Sequence, residues 1–600
     1  MQRRPRVTRA TTIGWLAGAT SVVLAATALT AAPASSAPID QDCPTAYPVA
    51  DLTTSQAVTG RTVTQGTTPG SFTGSVQGVV QDGIAPGVDL ILADLASPTI
   101  NRVGIWAGMS GSPVYASDGR LIGAVSYGLS FGPSTIAGIT PAADMLKLSG
   151  AQPVARAHKV ALPRSLAKRV AGHSKVSAKQ ASQGLSELPL SVGLSGPSSA
   201  QMKKLARGFS INGTQARAAA AAPVSTQEIP VVTGGNLVGS LSYGTITFAG
   251  TGTATAVCGD DVVGFGHPML DSGPSTLSMH GASTVLIQDD PTFSGFTVSN
   301  PGAPIGSIKQ DRLVGITGST GAVPASSRIA STASVGGAST SGTTHVTQQD
   351  YMPDITLAHL YTVQGKALDR TGAGGAYGTY TIKGTRKNGT PFSMTRRNRW
   401  ADPYDISYAA AEAAAEDVYA IQNNPGEVVK ITSVTADTHL SKSYATYVIA
   451  RVEVRSGGRW VTAQRDEPVA VHAGTKAQLR VTLRSREAAT RTVRMQVRVP
   501  RNTAKRLGTL KVVGGNSSYE DSEEFFDDEE GDFFDEVPVP RPSTLPALLA
   551  QLSGGQRNNE IRATVRFRKA PGKYGTPRTG SKTVSDVVSG YDVFPVVAVK

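Results

Sequence analysis

Two short stretches of the chain hold the residue types that nucleophilic catalysis needs. The first runs Gly104-Ile105-Trp106-Ala107-Gly108-Met109-Ser110-Gly111-Ser112-Pro113-Val114-Tyr115. A serine hydroxyl is a poor nucleophile until a base takes its proton and backbone donors meet the developing oxyanion. Gly108 and Gly111, on either side of Ser110, permit a tight turn that exposes the hydroxyl. The same turn can aim the N–H groups of Gly108 and Ser110 into one small space, as an oxyanion hole requires. The residue types also suit a plain glycine-rich β-turn. The second stretch is Val262-Val263-Gly264-Phe265-Gly266-His267-Pro268-Met269. Small residues before His267 and Pro268 after it hold an imidazole at the exit of an apolar strand. That placement suits a general base, the ordinary histidine pKa being about 6.5. A histidine there also serves as an ordinary hydrogen-bonding turn residue.

The elements that must position these groups read as mainly β. Gly 65 and Pro 36, with few aromatic residues, favour short strands and many turns. Residues 38–150 form a first unit, with strands at Val58–Val63, Phe72–Val80, Val88–Leu92 and Leu121–Ser126, the last following an Asp118-Gly119 hairpin turn. A short helix opens at Thr140-Pro141 and runs through Met145 and Leu148. Residues 151–227 read as a linker with a small α/β excursion, including a helix over Ser198–Arg207. A second strand-rich unit covers 228–345 and carries His267. Residues 346–510 are expected as one or two β-sandwich-like modules, with an Ala-rich helix at Ile406–Ile421. An acidic exposed loop, 511–540, is densest between Tyr519 and Glu536; its spacing does not match a calcium-binding loop. Residues 541–600 read as a small C-terminal module, with a helix at Leu545–Leu552.

The compartment is read from the amino end. Arg3, Arg4, Arg6 and Arg9 precede an apolar run from Ile13 to about Ala31, and Ser35 and Ala37 supply the small residues of a cleavage site. Residues 1–37 therefore read as a secretory signal peptide, giving a secreted or cell-surface protein without a later membrane span. Export permits a disulfide between the only cysteines, Cys43 and Cys258, though their spacing leaves the pairing open. The net charge of +13 comes without aromatic-basic alternation or a recognition helix, so nucleic acid is not an expected partner. The histidines are scattered, and neither a metal nor another cofactor is expected.

Gly108-Met109-Ser110-Gly111-Ser112-Pro113, followed by Gly119-Arg120-Leu121-Ile122-Gly123-Ala124-Val125, resembles the SpoIVB-type peptidases of family S55. Gly264-Phe265-Gly266-His267 is similar to that family's histidine motif. The resemblance covers roughly 60–345 and implies a trypsin-like double β-barrel serine endopeptidase. It makes Ser110 the nucleophile, His267 the base, and Asp94, in Leu92-Ala93-Asp94-Leu95, the third member. Asp89, Asp260 and Asp261 are reserve carboxylates. Ser126-Tyr127-Gly128 resembles the strand on which such enzymes align substrate backbone, and a peptide or protein is the implied substrate. In the founding sporulation peptidases the histidine segment comes first, whereas here Ser110 precedes His267, as in a permuted branch; geometry, not order, defines a triad. No PDZ-like module is evident, so no sporulation role is carried over. A second function class is a non-catalytic or self-processing envelope scaffold, whose C-terminal β modules would bind a cell-envelope partner.

Overall fold

Strand β1, Ala57–Thr62, buries Val58, Gly60 and Thr62 and exposes the residues between them, the period of a half-buried strand. Strands β2, Gly70–Ala85, and β3, Val88–Ala96, follow it. The turn between them uses Gly87 at φ +78°, its amide donating to the Asp82 carboxylate. Helix α1, Pro98–Val103, is capped by Ser97, whose hydroxyl accepts from the Ile100 amide. After it come β4, Pro113–Tyr115, β5, Leu121–Leu129, and β6, Ile136–Pro141. These strands pair in the order β4-β1-β2-β3-β6-β5, and β4 pairs with β5, closing a six-stranded barrel. Val58, Phe72, Ile91, Trp106, Val125 and Ile139 fill its interior.

This computed structural model describes residues 43–600 except 131, 149–158, 174–175, 206–207, 212–213, 219–226, 291–294, 518–541 and 571–572. The signal segment 1–37 and the acidic stretch 519–536 lie outside the described residues. Among the described residues no helix is long and apolar enough to cross a membrane.

Beyond the short helix α2, Ala142–Met145, the segment expected as a linker is packed where it is described. It forms β7, Lys159–Val160, α3, Arg164–His173, α4, Ala178–Ser182, and β8, Leu185–Glu187. Leu166 and Val170, four apart on α3, pack with Leu162 just before it against Leu90, Leu92 and Tyr127 on the outside of the barrel. The apolar residues that pack there, among them Val160, Val176 and Leu185, are spread thinly among many Lys, Arg, Ser and Ala, which is why the sequence pattern reads as weak.

The large sheet begins with β9, Ser191–Ser195. Helix α5, Ser199–Leu205, and the short strands β10, Ser210–Ile211, β11, Thr214–Gln215, and β12, Arg217–Ala218, follow. Six strands come next: β13, Asn236–Gly244, β14, Thr247–Cys258, β15, Asp261–Gly264, β16, Gly273–Gln288, β17, Phe296–Arg312, and β18, Gly315–Thr320. Their pairing runs β14-β15-β18-β17-β16-β13, and β13 pairs again with β14, so the circuit of hydrogen bonds returns to its start. Strands β19, Ser327–Val335, and β20, Ala338–Val346, continue the sheet, with β20 beside β13.

Residues 352–441 extend this same sheet rather than starting a sandwich. Helix α6, Met352–Leu368, leads to β21, Gly374–Arg386, and β22, Pro391–Asp402; α7, Ile406–Gln422, leads to β23, Val429–Ser441, which pairs in parallel with β19. Helix α6 escapes sequence reading because Thr356, His359, Thr362 and Gln364 are buried along with its apolar residues, leaving no single apolar stripe. Strands within 446–514 and 560–599 form two further sheets around one core, which includes Val454, Leu479, Leu510 and Phe594. The carboxy-terminal strands thus complete this sandwich, not a module of their own.

Cys43 and Cys258 form a disulfide with Cα atoms 5.0 Å apart, across a sequence separation of 215. It fastens the start of the described chain to the end of β14. A cross-link over so long a loop restricts the unfolded chain strongly, and a Cys43→Ser/Cys258→Ser protein is expected to lose about 2–5 kcal/mol of stability. Denaturant unfolding measures this, and a loss below about 1 kcal/mol would mean that the bridge adds little.

Candidate active site

The Ser110 turn is fixed from two sides. From β5, the Val125 carbonyl accepts from the Gly111 amide at 2.7 Å. From β14, the Thr253 amide donates to the Ser110 carbonyl at 2.7 Å, while the Thr253 and Thr255 hydroxyls donate to the carbonyls of Gly108 and Gly111 at 3.1 and 2.8 Å. Ser112 closes the turn by donating its hydroxyl to the Met109 carbonyl at 2.7 Å. Gly108 lies at φ +101° and Gly111 at φ +97°, where a side chain would be strained. Among the described residues, the amides of Gly108 and Ser110 donate to no other group.

The histidine turn is held as firmly. Phe265 at φ +69° and Gly266 at φ +70° are consecutive left-handed residues, and Phe265, a bulky side chain, is fully buried there. Such strain persists only where the surroundings over-determine it. The Thr140 hydroxyl donates to the Gly266 carbonyl at 2.7 Å and meets the Ser126 hydroxyl at 2.6 Å. On the far side, the buried Asp311 carboxylate accepts from the amides of Met269 and Leu270 at 2.8 and 2.6 Å. Burial raises the Asp311 pKa, and the amides of Met269, Leu270 and Ser272 pull it back down.

These supports bring His267 Nε2 to 2.8 Å from Ser110 Oγ. The other ring nitrogen, Nδ1, lies 2.9 Å from the Pro268 carbonyl oxygen. A carbonyl can only accept, so Nδ1 carries the proton and donates, and Nε2 is left to accept from the serine. That is the tautomer a general base requires.

Asp94 stands elsewhere. Ile91, Ala93 and Leu95 point into the barrel while Leu90 and Leu92 pack outside it, so strand alternation turns Asp94 outward. Its backbone neighbours are Ser75 and Ile136. Thr140, which holds the His267 turn, lies four residues further along β6, about 13 Å at ~3.3 Å per residue. Of the reserve carboxylates, Asp89 accepts from the Asp82 amide and Asp260 from the Thr320 hydroxyl. Asp261 is exposed, at the start of β15. The group set against Nδ1 is a backbone carbonyl. Ser126 is wholly buried, its hydroxyl committed to Thr140, and Tyr127 and Gly128 pair with β8.

A second buried histidine shows what a serine–histidine contact means by itself. His280 Nε2 lies 2.8 Å from Ser240 Oγ, and its Nδ1 lies 2.9 Å from the Gly302 carbonyl. Burial lowers its pKa to about 4. Ser240, however, sits inside β13, paired with Ala249 of β14 and Ser278 of β16. Ser110 differs in its glycine turn and in the amides of Gly108 and Ser110, which donate to no described group.

Asp311, Thr140 and Thr253 were not found from the sequence. Each is distant from the motif it supports and carries no local signature; only strand pairing brings it in. Among the described residues no three His, Cys, Asp or Glu side chains gather as metal ligands would. Comparison with protein-family models, with curated proteins and with solved structures found no match.

Proposed function

We propose that the chain is an exported serine endopeptidase in which Ser110 and His267 form the catalytic pair. His267 Nε2 takes the hydroxyl proton as Ser110 Oγ attacks a peptide carbonyl, then returns it to the leaving amine. The amides of Gly108 and Ser110 stabilise the oxyanion. The Pro268 carbonyl fixes the imidazole tautomer, the orienting role that the family resemblance gives to Asp94. In this reading the circuit β13 to β18 is the second barrel of a trypsin-like pair, and the site lies between it and the first. The Ser110–His267 contact at 2.8 Å carries the proposal. Export rests on residues 1–37, and the disulfide is in keeping with an oxidising compartment. The C-terminal sandwich is then a docking module for a cell-envelope protein.

A second reading, a scaffold that keeps the peptidase fold, is favoured by one observation. Ser110 is 0% and His267 2% exposed, so the pair is closed to peptides in this conformation. Fluorophosphonate treatment of the purified mature protein separates the two. The expected result is a covalent adduct on Ser110, located by peptide mass spectrometry and absent from Ser110→Ala. No adduct, even after the cleft has been opened, would leave the scaffold reading in place.

A further inference from the structure

The strand that would align a substrate already has an occupant. Strand β8 lies antiparallel to β5, with Tyr127 opposite Glu187, Gly128 opposite Ser186 and Leu129 opposite Leu185. The ladder continues past both ends of β8. The Leu188 amide donates to the Ser126 carbonyl at 2.9 Å, and the Ser130 amide donates to the Gly184 carbonyl at 3.4 Å. Bonded pairs alternate along an antiparallel ladder. Ser126 with Leu188, Gly128 with Ser186, and Ser130 with Gly184 are therefore the bonded pairs, and the edge a peptide would join is taken.

The path of the occupying segment matters as much as its pairing. Leu188 is buried with the residues of the first barrel's core. The chain then passes through Pro189 and Leu190 to Ser191, whose hydroxyl donates to the Thr297 carbonyl at 2.6 Å. A Cβ added at Gly108 would lie 3.7 Å from the Ser191 Cβ, and one added at Gly266 would lie 2.9 Å from the Ser126 Cβ. Residues 188–191 thus run from the strand against which the His267 turn packs to the turn that carries Ser110. The segment therefore passes beside a site in which Ser110 and His267 are both buried.

We infer that residues 185–191 are an intrachain occupant of the substrate position and hold the site closed until they are displaced. The inference rests on the peptidase reading above. Strand addition to a sheet edge is a general mode of peptide recognition, in which backbone bonds give affinity and side-chain pockets give selectivity. The occupant therefore also states what a substrate must resemble: an extended peptide with a branched aliphatic side chain where Leu188 sits.

The test follows fluorophosphonate labelling of Ser110 and amide hydrogen exchange at 126–130 and 185–191 together. The proteins compared are the parent, Leu188→Ala and Ser186→Pro, with Ser110→Ala as the blank. In the parent, labelling should proceed no faster than the Leu188 amide exchanges. Truncating a buried leucine weakens the closed state by enough to speed labelling about tenfold or more in Leu188→Ala. Ser186→Pro removes a ladder donor and should act in the same direction. A parent that labels as fast as the variants while its Leu188 amide stays protected would overturn the inference and leave the peptidase reading intact. Variants whose 185–191 amides exchange freely, yet which never label, would sink the peptidase reading and this inference with it. If Ser186→Pro loses protection throughout β1–β6, Leu188→Ala and the parent's own labelling rate decide the matter.

Discussion

A His267→Ala protein is expected to turn over peptide substrate on the order of 10⁶-fold more slowly than its parent, because the serine then has no proton acceptor. Asp94→Asn should stay within a few-fold of the parent. An aspartate that oriented the ring would cost about 10⁴-fold on the same change. The difference follows from placement, since Asp94 points outward from β3 while Nδ1 meets the Pro268 carbonyl. A carbonyl fixes the tautomer but adds no full negative charge beside the imidazolium, so a turnover below that of a full triad is also expected. Turnover of an unstructured protein substrate, measured with the cleft opened by Leu188→Ala in every sample, provides the comparison. A 10⁴-fold loss in Asp94→Asn would restore the carboxylate to the mechanism and contradict the orienting role given to Pro268.

Gly111→Ala is expected to destabilise the fold by about 4 kcal/mol or more, at the far end of what single substitutions do. A methyl group at this position would come within 1.9 Å of the Thr253 carbonyl oxygen and 2.6 Å of the Phe265 nitrogen. Both are backbone atoms, one on β14 and one in the histidine turn, so no side-chain rotation relieves the overlap. The φ of +97° adds strain of its own. Gly119→Ala is the matched control: it too has a positive φ, +84°, but nothing lies within 4 Å of its added methyl. It should cost only about 1 kcal/mol. Parallel denaturant unfolding of the two variants reads the difference directly. Equal losses would mean that the Ser110 turn can shift away from β14 and is not rigidly docked.

What was legible in the sequence was local chemistry. The glycines around Ser110 and the Phe265-Gly266-His267-Pro268 run are visible because each turn needs its special residues within a few positions. The strands β1, β2, β3 and β5 are visible for the same reason, as short runs bounded by Gly, Pro and Asp turns, with alternating burial in β1 and burial throughout β5. Asp311 is not, because its work depends on β17 passing beside a turn made by a distant part of the chain. Asp94 shows the converse: its sequence neighbourhood fits, but strand alternation and register turn it to the outer face. The packing of 159–187 was hidden by composition, its apolar residues being too thinly spread to stand out among Lys, Arg and Ser. Its place along Tyr127–Leu129 is a matter of sheet register, which no local pattern encodes.

In the proposed mechanism, the nucleophile and its base come from closed circuits of strands made at different times. Ser110 and His267 are 157 residues apart. At roughly 5–20 residues per second of synthesis, the serine's turn precedes its proton acceptor by about 8–30 s. During that interval Thr253 and Thr255, which pin the carbonyls around the serine, are also absent. A nascent chain therefore carries an inert hydroxyl past whatever machinery handles it. On the peptidase reading, competence arrives only with the late strands, and a polypeptide truncated before β15 is expected to show no activity.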